Sequence, residues 1–260
     1  VGLDATLEGE EGDTGNEYGS GDKPNLNLPG LQPDIIRIAK ESGKPVIVVL
    51  LAGSAMALSW EDEHVDAILD GFYPGAQGGA AIAEILFGGA NPEGKLPITF
   101  YQTTEELPEF TDYAMKGRTY RYMENEALYP FGYGLSYTTY AYGNLECVKP
   151  FDAQDGITLQ VTVTNTGDRE GTETLQVYVK AKREGTPNPQ LKYVKKITLK
   201  PGESVTEEIH LSPEAFMLYD EKGNFTLEKG AYDIFVGGCQ PDARSAALTG
   251  NAPQKLTVTY

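Results

Sequence analysis

The sequence predicts two fold classes in succession: an α/β region with an open, mostly parallel sheet and flanking helices, and then an all-β sandwich. Between residues 31 and 100, apolar residues alternate between helical spacing and short continuous runs. Continuous apolar runs are typical of strands that helices cover on both faces. After about residue 130, the helical period gives way to short alternating strands separated by turns rich in Gly, Pro, Asn and Asp.

In the α/β region, the elements follow one another with short connections. Apolar residues at helical spacing predict a helix from Leu31, and Gly43 ends it. The apolar run at residues 45–51 predicts a buried strand, and residues 65–72 predict the next one. Small and apolar residues over 78–87 predict a second helix, so the order is that of an α/β fold.

The second region shows the alternation expected of a sandwich. Strands are predicted at residues 158–164, 175–179, 205–211, 231–236 and 256–260. We therefore divide the chain into an α/β domain at residues 1–100, a linker at 101–135 that is rich in Thr, Glu, Pro and Tyr, and a sandwich domain at 136–260.

Composition excludes several classes of partner. The chain has 260 residues, of which 40% are hydrophobic and 23% charged, so it can bury a sizeable core. Its formal net charge of -17 argues against nucleic acid and against an anionic membrane surface. No apolar stretch approaches the roughly 20 residues of a membrane span. Cys147 and Cys239 form no disulfide framework or metal motif, so the compartment, cytoplasmic or exported, stays open.

The first 22 residues form the most unusual segment. They contain seven acidic residues and no Lys or Arg, and five glycines precede Gly21, which predicts a loop rather than a helix. The chain opens at Val1 without Met and reads as the end of a strand, so we expect that the true N-terminus lies upstream. Such a loop has a simple interpretation as a solvated surface segment; calcium binding is a weaker one, because the EF-hand spacing is absent.

The same loop also fits glycosidic bond cleavage. That reaction needs a carboxylic acid that stays protonated near neutral pH to protonate the leaving oxygen. Crowded carboxylates raise one another's pKa, and Glu8, Glu10 and Glu11 supply such a set. A second carboxylate must act across the sugar ring as nucleophile or base, and no residue of this chain clearly takes that part.

Several motifs carry a resemblance to a known family. The stretch 2–13, GLDATLEGEEGD, followed by Leu-Pro-Gly at 28–30, is similar to the acid/base loop of family 3 glycoside hydrolases. In that family the loop runs Gly-Leu-Asp-x-x-x-Glu-x-Glu, then Asp-Arg, then Leu-Pro-Gly. Alignment from Gly2 without gaps puts the catalytic Glu on Glu10, and a shift by one residue puts it on Glu11. This sequence has an insertion up to Asp22-Lys23 where the family often has Asp-Arg.

Further stretches resemble the same family in the same order. They are 73–79 (YPGAQGG), 91–97 (NPEGKLP), 117–122 (GRTYRY) and 129–137 (YPFGYGLSY). The resemblance implies that the sandwich is fibronectin type III-like and that the parent enzyme is a retaining, exo-acting β-xylosidase or β-glucosidase. It implies a nucleophilic Asp on a preceding barrel domain of the same enzyme, an oligosaccharide or glycoside substrate, and no metal or organic cofactor. We therefore expect the isolated chain to be inactive.

Three further residues are candidates for a role at the site. We assign Glu8, the third member of the carboxylate set, and Trp60, whose ring could stack on a sugar face, to substrate binding. Ser54 lacks the Gly-x-Ser-x-Gly context of a nucleophile and reads as a turn residue. The rival function is a non-catalytic carbohydrate-binding or adhesion module that uses the sandwich and the aromatic linker.

Overall fold

The computed structural model describes residues 1–9, 23–220 and 222–260, which form two compact units. The first unit comprises Val1–Ala90, Thr99–Gly117 and Asn125–Tyr129. The second comprises Asn91–Ile98, Arg118–Glu124 and Pro130–Tyr260. Residues of the stretch 101–135, which the sequence suggests as a linker, thus contribute to both units.

The first unit alternates helices with short strands. In chain order its elements are α1 (Ala5–Glu8), α2 (Gln32–Glu41), β1 (Ile47–Leu50), α3 (Ser59–His64), β2 (Ala67–Asp70) and α4 (Gly78–Leu86), followed by a 3-10 turn at Thr104–Glu106. β1 and β2 are parallel and pair from Ile47 opposite Ala67 to Leu50 opposite Asp70. The predicted alternation of strand and helix is present.

The parallel sheet is narrower than the open sheet that the sequence predicts. Its third member is a single parallel bridge between Gly2 and Leu51. Leu51 N donates to Val1 O, and Leu3 N donates to Leu51 O, each at 2.9 Å. Among the described residues, the fold prediction is therefore met in part: two parallel strands and one bridge, with helices between them.

The acidic segment is not a loop throughout. Asp4 caps one turn of helix, α1, by accepting a hydrogen bond from Leu7 N at 2.9 Å. The prediction of an uninterrupted loop is wrong for Ala5–Glu8, because four residues without glycine follow a capping aspartate. Glu8 ends this turn, and Gly9 leaves it with a φ of 74°.

Helix α2 forms as predicted, but most of its apolar residues are exposed. Ile36 is buried, whereas Leu31, Ile35 and Ile38 are 73%, 60% and 65% exposed. The core of this unit lies instead around side chains that are almost fully buried, namely Leu50, Met56, Leu58 and Phe100. Helix α2 thus presents an apolar face that the described residues do not cover.

The second unit is a sandwich of two antiparallel sheets. Its long strands are β3 (Tyr140–Asp152), β4 (Gly156–Asn165), β5 (Gly171–Ala181), β6 (Gln190–Leu199) and β7 (Ser204–Leu211). After the short pair β8 (Leu218–Tyr219) and β9 (Phe225–Thr226) come β10 (Ala231–Gly237) and β11 (Gln254–Thr259). Two short helices complete the unit, α5 (Thr119–Tyr122) and α6 (Ala243–Thr249).

The core of the sandwich follows from alternation. One sheet has the order β11-β10-β5-β6 and the other β3-β4-β7. The inward residues of β4, β5 and β10 are completely or almost completely buried: Leu159, Val161, Val163, Leu175, Val177, Val179, Ile234 and Val236. Gly156 opens β4 with a φ of 80°, and a Cβ there would lie 2.0 Å from the carbonyl oxygen of Leu211.

The stretch 91–97, noted above for its sequence motif, belongs to this second unit. Lys95 Nζ donates to Gly134 O at 2.8 Å and lies 3.7 Å from the buried carboxylate of Glu173 on β5. Leu96 N donates to Tyr133 O at 2.8 Å, and Gly132 N donates to Leu96 O at 2.7 Å. Residues 91–98 are therefore fixed to the sandwich by backbone pairing and an ion pair.

The sandwich core predicts a large difference between two truncations on neighbouring strands. Leu175 on β5 is 0% exposed, and Val194 on β6 is 57% exposed. Because a buried cavity costs about 2–5 kcal/mol, we expect Leu175→Ala to lower the free energy of unfolding by that amount. Val194→Ala, the control, should lower it by less than about 1 kcal/mol. Urea denaturation measures both, and equal losses would contradict this core.

Candidate functional site

Three segments of the first unit leave the same edge of the parallel sheet. Residues 1–3 lead into α1, β1 leads into the segment 53–56, and β2 leads into residues 71–73. Ligands of open α/β folds bind at this carboxyl edge of the strands. The edge brings together Glu8, Ser54 and Tyr73, which are far apart in the sequence.

Glu8 lies at the centre of this group, and both of its carboxylate oxygens accept hydrogen bonds. Oε1 accepts from Gly53 N at 2.5 Å, from Ser54 N at 3.2 Å and from Tyr73 Oη at 3.2 Å. Oε2 accepts from the hydroxyl of Ser54. Gly53 permits this packing, because a Cβ there would lie 2.7 Å from Cε2 of Tyr73. Glu8 is therefore bound by four donors from two other segments.

Lys23 binds the same segment from the other end of the acidic stretch. Its Nζ donates to Ser54 Oγ at 2.5 Å, to Ala55 O at 2.7 Å and to Met56 Sδ at 3.3 Å. A lysine ammonium has three N–H donors, and each of them has an acceptor here. The hydroxyl of Ser54 thus accepts from Lys23 and donates to Glu8.

The electrostatics of the group favour an ionised Glu8. Burial by itself would raise the pKa of Glu8, but hydrogen bonds from Ser54 and Gly53 and the charge of Lys23 outweigh it and hold that pKa below its usual value. Burial lowers the pKa of Lys23, and the negative charge of Glu8 opposes this effect. Glu8 is therefore suited to hold other groups in place and unsuited to donate a proton at neutral pH.

Asp70, the last residue of β2, lies at the same edge and behaves in the opposite way. Burial raises the pKa of its carboxyl group, and a hydrogen bond from Phe72 N to Oδ1 at 3.1 Å only partly offsets that effect. Its other oxygen is buried and has no hydrogen-bond partner among the described residues. The edge thus holds one carboxyl group that favours ionisation and one that resists it.

The contact between Lys23 and Ser54 has the composition of a serine–lysine pair, which activates a nucleophile in some hydrolases. Here three acceptors surround Nζ of Lys23 and favour its ammonium form, which has no lone pair to take the serine proton. The hydroxyl of Ser54 is in turn donated to Glu8. This geometry favours Ser54 as a bridge between two charges and disfavours it as a nucleophile.

Of the four predicted site residues, the structure describes two, Glu8 and Trp60. Glu8 occupies the group described above, whereas Glu10 and Glu11 lie outside the described residues. Trp60 is on α3, where its ring stacks on His64 at 4.3 Å and lies 5.3 Å from the guanidinium carbon of Arg37. None of the hydrogen bonds to Glu8 comes from α3.

Lys23, Ser54 and Tyr73 are members of this group that the sequence did not assign to the site. Lys23 is the first cation after the acidic stretch, which was a usable signal. Ser54 gave a weaker one, because its partners are distant in the sequence.

Among the described side chains, no group of three or more His, Cys, Asp or Glu residues is arranged to hold a metal ion. No helix within the described stretches combines the length and the apolar character that a membrane span requires.

Comparison with known proteins identifies relatives of the whole chain. A xylan 1,4-β-xylosidase of Xylanibacter ruminicola is 41% identical over 253 residues, which is 95% of this chain and 29% of the relative. A periplasmic β-glucosidase of Salmonella typhimurium is 38% identical over 86% of this chain and 31% of the relative. The chain thus spans about a third of the length of the curated relatives it matches.

Solved structures agree with these relatives. A β-glucosidase from Listeria innocua in complex with glucose superposes with a TM-score of 0.79 at 29% identity, covering 100% of this chain and 36% of that one. A β-glucosidase from Erythrobacter marinus gives a TM-score of 0.77 at 34% identity, covering 93% and 31%.

Two family models match the chain itself. Residues 173–240 match the fibronectin type III-like domain, which confirms the type of sandwich inferred from the motifs. Residues 1–137, more than half of the chain, match the C-terminal domain of glycosyl hydrolase family 3. The chain therefore belongs to glycosyl hydrolase family 3.

Proposed function

We propose that this chain is the C-terminal part of a retaining, exo-acting β-glycosidase that removes terminal β-xylosyl or β-glucosyl units. The observation that carries the proposal is the position of the acid/base motif. In the sequence, Glu10 and Glu11 lie between Glu8 and Lys23. The side chains of Glu8 and Lys23 bind the segment 53–56 at the carboxyl edge of the sheet, where ligands of α/β folds bind. The relatives named as β-xylosidases and β-glucosidases support the same reaction class.

In this proposal Glu10 is the acid/base and Glu11 is the alternative. Glu10 gives its proton to the glycosidic oxygen while the carboxylate of an Asp on a preceding barrel domain bonds to the anomeric carbon; the bond between that carbon and the glycosidic oxygen breaks, and the aglycone leaves as an alcohol. The ionised Glu10 then takes a proton from water, the water oxygen bonds to the anomeric carbon, and the Asp carboxylate leaves. The chain's own contribution is the proton transfer in both steps. No metal or organic cofactor takes part.

The barrel domain is part of the proposal. The chain spans about a third of its relatives, which leaves room for such a domain in the whole protein. The exposed apolar face of α2 supports further packing in the whole enzyme. We propose residues 1–100 and 136–260 as the two domains of this part, joined by 101–135. With a net charge of -17, we expect neither nucleic acid nor an anionic membrane as partner.

The activity test compares the 260-residue chain with the same chain joined to its upstream coding region, using a nitrophenyl β-xyloside and a nitrophenyl β-glucoside. We expect the chain alone to release no nitrophenol, since it lacks the nucleophile, and the longer protein to turn over. In the longer protein, Glu10→Gln should lower kcat by roughly 100- to 10,000-fold for a substrate with a poor leaving group. Turnover by the chain alone that Glu10→Gln abolishes would contradict the proposal.

The rival function, a carbohydrate-binding module, is less well supported by the described residues. The sandwich has a cavity lined in part by Lys95, Tyr140 and Glu173, but its volume is about 120 Å³. Sites for small organic ligands usually measure about 300–1,000 Å³.

Calorimetric titration separates the two functions. We expect the isolated chain to show no measurable heat of binding with xylobiose or cellobiose, because the sugar site needs the barrel domain. Substitution of a buried polar residue that lines the sandwich cavity, such as Glu173→Gln, should then leave the titration unchanged. Binding by the isolated chain that Glu173→Gln weakens would favour the module.

A further inference from the structure

We propose that Glu8 and Lys23 are positioning residues: together they clamp both ends of the acidic stretch to the segment 53–56 and so orient the acid/base carboxylate. The inference rests on the proposed function, because it assigns these residues a task in that reaction. It changes the part that the sequence suggested for Glu8. That residue acts on substrate through the stretch it holds and does not itself contact the sugar.

The first support is that Glu8 has little capacity left for a substrate hydroxyl. Gly53 N, Ser54 N and Tyr73 Oη all donate to one oxygen, and the Ser54 hydroxyl donates to the other. Hydrogen bonds to an ionised carboxylate are stronger than neutral ones. Three of the four donors crowd Oε1, which leaves room for a further donor only on Oε2, so the carboxylate is engaged mainly by the chain itself.

The second support is that Lys23 holds the other end with equal completeness. Its ammonium group has three acceptors on three consecutive residues, 54, 55 and 56. Three residues further along, the backbone repeats the attachment, because Ala57 N donates to Leu26 O at 2.7 Å. Leu26 N in turn donates to the hydroxyl of Thr104 at 3.0 Å. The exit of the stretch is therefore held by a side chain and by the main chain.

The third support is that Glu8 and Lys23 contact the same hydroxyl, and that buried residues follow it in the chain. Ser54 Oγ accepts from Lys23 and donates to Glu8, so the opposite charges are joined through a single atom. Met56 and Leu58, just beyond it, are completely buried. Fixing both ends of a chain segment removes most of its conformations, and a catalytic group misplaced by about 1 Å can cost roughly 100-fold in rate.

A positioning role differs from a general loss of stability in its dependence on the leaving group. An acid catalyst matters for a poor leaving group such as phenol, which must be protonated, and hardly matters for dinitrophenol, which leaves unaided. If the clamp orients the acid, its loss should lower kcat/KM, which reports the first step, only for the first kind of substrate. If the clamp merely stabilises the fold, its loss should lower kcat/KM equally for both substrates.

The experiment uses the longer enzyme with aryl glycosides of the sugar it hydrolyses, from phenyl to dinitrophenyl. We expect Glu8→Gln and Lys23→Met each to lower kcat/KM, which reports the first step, at least tenfold for the phenyl glycoside and to leave kcat/KM for the dinitrophenyl glycoside within about twofold. Lys40→Met is the matched control, because Lys40 forms an exposed ion pair with Asp66 at 3.2 Å and is placed outside the clamp. It should change neither rate. A uniform loss on all substrates, or no loss, would overturn the inference.

A second readout needs no activity and separates this inference from the proposed function. In the 260-residue chain, the amide hydrogens of Gly53 and Ser54 should exchange with solvent deuterium faster in Glu8→Gln than in the unmodified chain. In Lys40→Met, their exchange rates should equal those of the unmodified chain. Unchanged exchange in Glu8→Gln would overturn the clamp, whatever the kinetics show. A different outcome is that the effects of Glu10→Gln and Glu11→Gln do not depend on the leaving group, while amide exchange still responds to Glu8→Gln. In that case the acid/base assignment fails. The clamp then exists as a contact without a catalytic task, which also overturns the inference.

Discussion

A carboxylate and an ammonium group share one serine hydroxyl in the first unit, and this contact joins the two residues that flank the central part of the acidic stretch, Glu8 and Lys23. Glu8 reaches the hydroxyl from the end of a single helical turn, and Lys23 reaches it from beyond the acidic residues. The hydroxyl is fixed because it follows a buried parallel strand, whose position is set by the bridge from Leu51 to Gly2. The sheet therefore holds a reference point to which both ends of the stretch are attached.

This arrangement also explains how one acidic segment can contain carboxylates with different tasks. Glu8 is kept ionised because its pKa is lowered by the donors around it, despite its burial. A proton donor needs the reverse environment, with few donors and other negative charges nearby. In our account, Glu8 therefore serves to fix position, and the proton transfer belongs to another carboxylate.

Sequence reasoning succeeded where structure follows from local periodicity. The apolar run at 45–51 and the alternation around Leu159, Leu175 and Ile234 gave strands, because burial alone dictates those patterns. Strand β3 was missed because its pairing with β4 is interrupted by irregularities, and many of its residues are exposed. β6 was missed because the alternation breaks at Val194, Lys195 and Lys196, and only Ile197 and Leu199 at its end are buried.

The site was harder to predict than the fold for a different physical reason. The acid/base motif is local and was visible in the letters around Glu8. The partnership of Ser54 with Glu8 and Lys23 depends on three segments meeting at one sheet edge, which no spacing in the sequence reveals. The helical turn at Ala5–Glu8 was hidden by the acidic, glycine-rich composition around it.

The central claim is that Glu8 and Lys23 act as one unit through Ser54, and a double-mutant cycle measures this most directly. The free energy of unfolding of the 260-residue chain would be determined for Glu8→Gln, Lys23→Met and the double variant, with Ser54 intact and then replaced by Ala. The account predicts that the losses of unfolding free energy in the two single variants add up to about 0.5–3 kcal/mol more than the loss in the double variant. It also predicts that this coupling is mostly absent when Ser54 is replaced by Ala. Additive losses, with or without Ser54, would contradict it.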